Sequence, residues 1–178
     1  EEGVEVIDAQ SAALSSTGSL RGLFELYGYE EDNGEMQGIY PDMINNLDTM
    51  ASAFADALNG VHNNGIDLNG SEGEDFFQIA SGQDAENITA GNITVNENIM
   101  DDPDLIAAAE EGEGAGNGEN AQALADVFDD PDVVGENTSV NSFYESIIGD
   151  MGVMAQEANR MAENTDTLKS QVDKQRMS

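Results

Sequence analysis

The chain has 178 residues and carries 37 acidic side chains against 5 basic ones, a formal charge of −32. Such a field repels phosphate backbones and anionic bilayers, so neither nucleic acid nor a membrane is expected as a partner. With no cysteine there is no disulfide framework and no thiolate chemistry, and no apolar run approaches the roughly 20 residues that a membrane-spanning helix needs.

The first residues, EEGVEVIDAQ, lack the basic and apolar regions of a signal peptide, and the chain does not begin with Met. It therefore reads as an interior fragment of a longer protein. Residues 1–35 are expected as an extended lead-in: VEVI and, after SSTGS, LRGLFEL suit short strands or a strand leading into a helix.

Residues 36–62 read as a helix. After Pro41, an apolar stripe of Met43, Leu47, Met50, Phe54, Ala57 and Val61 recurs at intervals of four and three. Pro41 and Asp42 suit a first helical turn, and Asn63, Asn64 and Gly65 supply the stop.

Residues 63–98 read as a β-hairpin element, with DFFQIA and NITVN as its strand-like pieces. Within it, NNGIDLNGSEGEDFF starts with the spacing of a calcium loop: Asp67, Asn69 and Ser71 occupy the first, third and fifth positions. The sixth position is then Glu72, where the loop needs glycine, and the twelfth is Gln78, where it needs a bidentate glutamate. A polar hairpin turning at Asn69-Gly70 is the better account.

Residues 99–135 hold two brief helical pieces, DPDLIAAA and NAQALADVF, on either side of the glycine-rich stretch EEGEGAGNGEN. The two Asp-Asp-Pro-Asp runs read as helix starts at proline. Residues 138–176 form one long helix, since Val140, Tyr144, Ile147, Met151, Met154, Ala158, Met161, Thr165, Leu168 and Val172 keep the four-three spacing throughout. Ser142 with Glu145 offers a capping box, and Lys169, Lys174 and Arg176 oppose the dipole at the far end. At 1.5 Å per residue this helix is roughly 50 Å long, and its seam demands a partner of similar length. The expected fold is thus α+β and predominantly α: one elongated antiparallel helical bundle over residues 1–178, with the Pro41 helix packed along residues 140–176 and a small β-hairpin element beside it.

No constellation of catalytic, cofactor-binding or metal-binding residues emerges. His62 stands alone without a cysteine or a serine-nucleophile motif and reads as a residue of a helix C-terminus. The carboxylate pairs lack tryptophan platforms. The glycine-rich loop has no lysine, serine or threonine, and its glutamates would repel a phosphate. Met151, Met154 and Met161 read as packing residues at helical spacing. An enzyme is not expected, nor a cofactor.

Eleven residues carry a resemblance. In LNGVHNNGIDLNGSEGEDFF, the pattern N-x-x-H-x-x-G-x-D-L-N-G followed by G-x-D-F-F is met by Asn59, His62, Gly65, Asp67, Leu68, Asn69, Gly70, Gly73, Asp75, Phe76 and Phe77. This is similar to the family of hook-filament junction proteins of the bacterial flagellum, the flagellar hook-associated protein 1 family. GSLRGLFEL and LDTMASAFADALN resemble its preceding segments, and DDPDLIAAA, NAQALADV, FYESIIGDMGVMAQEA and QVDKQRMS its second half. The sequence departs at Tyr27-Gly28 and at IYPDM. The resemblance implies a secreted, extracellular scaffold that joins hook to filament. Its implied partners are the hook protein, a second hook-associated junction protein, further copies of itself and an export chaperone. It also implies that the segments forming the tube core lie outside this chain. The alternative is an acidic extracellular calcium- or cation-binding module.

Overall fold

The computed structural model describes residues 19–30, 34–83, 85–110, 112 and 117–177. The VEVI segment and most of the glycine-rich stretch lie outside them. The backbone divides into two compact units, residues 1–52 with 79–94 and residues 53–78 with 95–178.

In the first unit, the expected extended lead-in is helical over its later part. Helix α1 runs Ser19–Tyr27, because Leu20, Leu23, Phe24 and Tyr27 fall at i, i+3, i+4 and i+7, a helical rather than an alternating spacing. It stops at Gly28, whose N–H still reaches the Phe24 carbonyl at 2.9 Å. A two-residue antiparallel pair follows, β1 (Tyr29–Glu30) with β2 (Met36–Gln37), in the register Tyr29↔Gln37 and Glu30↔Met36. Helix α2 then spans Ile39–Asn63. The Tyr27 ring meets the Tyr40 ring edge-on, with centroids 5.4 Å apart. Further along, the Ala90 N–H donates to the Asp48 carboxylate at 2.9 Å, tying the 80–92 connection to this helix.

The second unit receives the end of α2. The apolar stripe seen in the sequence is half-buried, whereas the deepest positions are Ala55, Asn59 and His62, one helical face along. Strand β3 (Gly65–Ile66) pairs antiparallel with β6 (Ala109–Glu110), in the register Gly65↔Glu110 and Ile66↔Ala109. Strand β4 (Phe77–Ile79) pairs with β5 (Ile93–Val95); of the bonds that bracket the ladder, Asn96 N–H to Phe76 carbonyl lies in this unit and Ala80 N–H to Asn92 carbonyl in the first, each 2.8 Å.

Residues 97–110 depart from expectation. Helix α3 is only Glu97–Asp101, and a 3-10 turn covers Pro103–Leu105. Pro103 does start a helical turn, with the Asp102 carboxylate accepting from the Asp104 N–H at 3.1 Å. The alanines that follow are not helical: the Ala107 N–H is taken by His62, the Ala108 N–H turns back to the Ile106 carbonyl at 2.9 Å, and Ala109 pairs with Ile66. Helical propensity of a three-alanine run is a weak bias, and tertiary hydrogen bonding overrides it. The second Asp-Asp-Pro-Asp run, residues 129–132, is a turn, with Asp130 accepting from the Asp132 N–H at 2.9 Å.

Helix α4 is Glu119–Asp126 and α5 is Val140–Arg176, 37 residues or roughly 55 Å at 1.5 Å per residue. The cap of α5 is Ser139, whose hydroxyl accepts from the Ser142 N–H at 3.1 Å, so the expected Ser142–Glu145 box lies one turn inside the helix. Among the described residues the buried apolar ones are Ala55, Ile99, Ala107, Ala109, Val127, Val140 and Ile147, none of them aromatic. Beside them Phe54 touches Phe77 and Phe128, with centroids 5.6 and 6.2 Å apart. Cover over α5 ends early: Val140 and Ile147 are buried, Met154 is half-buried, and every residue from Ala155 to Met177 is exposed. With 25 residues against 37, α2 is in any case too short to cover the whole of α5.

Candidate assembly surface

Two features hold the chemistry of this chain, a polar knot at the end of α2 and the bare seam of α5. In the knot, Asn59 and His62 lie one turn apart on α2 and point into the second unit. The Asn59 amide pairs with the backbone of Phe77 as a neighbouring strand would, donating to its carbonyl at 2.9 Å and accepting from its N–H at 2.8 Å. His62 is fully buried, with Nδ1 2.6 Å from the Glu74 carbonyl and Nε2 accepting from the Ala107 N–H at 2.9 Å. An N–H can only donate and a carbonyl can only accept, so the two partners fix the neutral Nδ1–H tautomer. The Phe76 ring meets the imidazole edge-on at 5.4 Å.

Other polar side chains close the same knot. Asn96 donates to the Asp75 carbonyl at 2.9 Å, and Asn120 donates to the Ala107 carbonyl at 2.5 Å. Two glycines are required by close approach. A Cβ on Gly73 would strike the His62 carbonyl and lie 2.8 Å from the Ala107 methyl. One on Gly65 would strike the Asn120 amide and lie 2.7 Å from the Ala107 carbonyl.

The Asp67 carboxylate is committed to the turn. It is buried, and its Oδ1 accepts from the Ser71 N–H at 2.7 Å. The Asp67 N–H reaches the Ser71 carbonyl at 2.9 Å and the Gly70 N–H reaches the Asp67 carbonyl at 3.2 Å. Gly70 adopts φ 84°, so this is a three-residue hairpin loop whose left-handed position needs glycine.

Along α5, heptad positions separate cleanly. Tyr144, Met151, Ala158, Thr165 and Val172 repeat every seventh residue, interleaved by Ile147, Met154, Met161 and Leu168. Met161, Leu168 and Val172 are 57%, 62% and 53% exposed. The positions flanking this seam change character along the helix: Ile148, Ala155 and Ala162 are apolar, whereas Lys169 and Arg176 are cationic. The seam is thus wide enough for a bundle as far as Ala162 and narrows to a two-helix stripe beyond it. Gly149 and Gly152 have open space where a Cβ would sit.

Residues 3–77 match the family described as the flagellar hook-associated protein FlgK helical domain. Flagellar hook-associated protein 1 of Bacillus subtilis (strain 168) is 40% identical over 166 residues, 92% of this chain and 33% of the relative. Over most of its length the chain is similar to a part of flagellar hook-associated protein 1. The proteins of that name from Salmonella typhimurium and Escherichia coli K12 are 40% identical over 68 residues and 32% identical over 95 residues, covering 38% and 53% of this chain and 11% and 16% of their own lengths. The chain spans about a third of the length of the Bacillus hook-associated protein.

The residues that carry the resemblance to hook-associated proteins are those of the knot and its turn. Asn59, His62, Gly65, Asp67, Gly70, Gly73 and Phe77 each meet a stated geometric demand in it. Their partners on the other side, Ala107 and Asn120, lie outside the matched helical domain. Sequence reasoning missed that Asn59 and His62 form the deepest face of α2. The signal was present as polar residues at helical spacing after Ala55.

Proposed function

We propose that this chain is a structural segment of an axial junction protein that joins the flagellar hook to the filament outside the cell. The bare seam of α5, from Met151 to Val172, carries this reading. A solitary helix of that length gains its stability from burying an apolar face, so the seam is built to be covered within an assembly. The knot supports a scaffold role, because its polar side chains are spent on backbone groups and not held ready for a substrate. On this reading, residues 1–178 serve as one domain of a protein that is secreted with an export chaperone, assembles with further copies of itself, and contacts the hook protein and a second hook-associated junction protein. No catalytic step is required.

Co-sedimentation with purified flagellar hooks tests it. The full-length protein containing this segment is expected to pellet with hooks, and Met161→Asp with Leu168→Asp to abolish pelleting while leaving the circular dichroism of the helices unchanged. Pelleting undiminished by both aspartates, or no pelleting of the parent protein, overturns the reading. The alternative, a cation-binding module, predicts a stoichiometric calcium isotherm by calorimetry; with Asp67 committed to Ser71, only weak, salt-sensitive screening is expected.

A further inference from the structure

Five Asn-Gly pairs occur in the chain, at 33–34, 59–60, 64–65, 69–70 and 117–118. Glycine after asparagine favours attack of its backbone nitrogen on the preceding side-chain amide, since no side chain crowds the approach. Asn33 lies outside the described residues, and the fold treats the other four pairs very differently. Asn59 is buried in α2, with both ends of its amide bonded to Phe77. Asn64 is exposed, but Gly65 is buried, paired with Glu110 and pressed against Asn120 and the Ala107 carbonyl. Asn117 accepts from the Glu119 N–H at 2.8 Å, and its amide points to the Glu119 carboxylate at 3.4 Å. Asn69 alone among these four combines an exposed, unbonded amide with a following glycine that has open space around its Cα.

We infer that Asn69-Gly70 is a self-modification site, the place where the folded chain converts asparagine to aspartate and isoaspartate. The Gly70 nitrogen bonds to Cγ of Asn69 as the Cγ–Nδ2 bond breaks, and the side-chain nitrogen leaves with the Gly70 proton as ammonia. Water then opens the resulting succinimide at either carbonyl. One route gives aspartate and the other isoaspartate, whose extra backbone atom lies inside the turn closed by Asp67 and Ser71. Both products add a negative charge to a surface already at −32. The attacking nitrogen is held by the 3.2 Å bond from the Gly70 N–H to the Asp67 carbonyl, at the long end of the range for its kind.

The test is incubation of the folded chain in heavy-oxygen water at mildly alkaline pH. The protein is then cut with an acidic-residue-specific protease and the label mapped by mass spectrometry, with a urea-unfolded sample in parallel. In the folded sample Asn69 is expected to take up label on the order of tenfold faster than Asn59, Asn64 and Asn117, the ratio that a barrier difference of about 1.4 kcal/mol gives. In urea the four rates converge, because the local sequence is then the same. Asn69→Gln removes the label from that peptide and leaves the other three unchanged. Conversion of Asn59, Asn64 or Asn117 as fast as Asn69 in the folded sample overturns the inference, as does a folded Asn69 rate more than about tenfold below its own rate in urea.

Discussion

The Asn59 side chain and the Phe77 backbone exchange two hydrogen bonds, at 2.9 and 2.8 Å, so a helix residue supplies what a neighbouring strand would. Replacing it by alanine leaves a donor and an acceptor of Phe77 unpaired beneath α2. Asn59→Ala is expected to cost about 2–4 kcal/mol, read as a lowered urea midpoint at unchanged slope. Asn59→Asp keeps the acceptor but sets a carboxylate against the Phe77 carbonyl, and should be no better than alanine.

His62→Leu conserves much of the volume and removes both polar partners. The Ala107 N–H and the Glu74 carbonyl lose their bonds, for an expected cost of about 2–4 kcal/mol. Amide exchange separates this from general destabilisation: protection at Ile66 and Ala109, the β3–β6 pair, should fall before protection in α5 near Ile147. Equal loss in both places would show that the imidazole does not hold that strand pair.

Glycines at different sites should respond with opposite signs. Gly73→Ala forces backbone apart at the His62 carbonyl and is expected to cost about 1–3 kcal/mol, as overpacking does. Gly149→Ala and Gly152→Ala meet nothing and should each stabilise the isolated chain by about 0.5–1 kcal/mol through helix propensity. Thermal melts of the three variants decide the matter.

Met161→Asp and Leu168→Asp alter side chains that touch no core. In the isolated chain each should stay within about 0.5 kcal/mol of the parent. A large loss of stability would mean that the seam is already covered by the chain itself.

Salt should stabilise. The −32 charge is self-repulsive, and the Debye length falls from roughly 10 Å at 0.1 M to about 3 Å at 1 M. Urea midpoints measured across that range of sodium chloride are expected to rise; a flat or falling series would show that carboxylate repulsion is not the dominant surface effect.

The two long helices and the Asn69-Gly70 turn were legible in the sequence because each depends on local periodicity or on turn chemistry. The non-helical path of Ala107 to Glu110 was not, since nothing in IAAAEE announces that an imidazole 45 residues upstream will claim the Ala107 N–H. The burial of Asn59 and His62 was hidden for a related reason. Polar residues on a helix are read as solvated until the backbone groups they serve are known. Helix α1 was legible only as one of two alternatives, because a run as short as LRGLFEL between loops suits a strand or a helix until Leu20, Leu23, Phe24 and Tyr27 are read at helical spacing.

The chain's five Lys and Arg residues are Arg21, Arg160, Lys169, Lys174 and Arg176, so four of them stand on the bare part of α5 and none between positions 22 and 159. A trypsin-like protease therefore finds nothing to cut across the knot, the strand pairs or α4. Its remaining cleavage sites sample the uncovered helix turn by turn. Digestion then works as a ruler of occupancy: fragments ending at Arg160, Lys169 and Lys174 report a naked seam, and their disappearance on adding a partner measures how far along the helix that partner reaches.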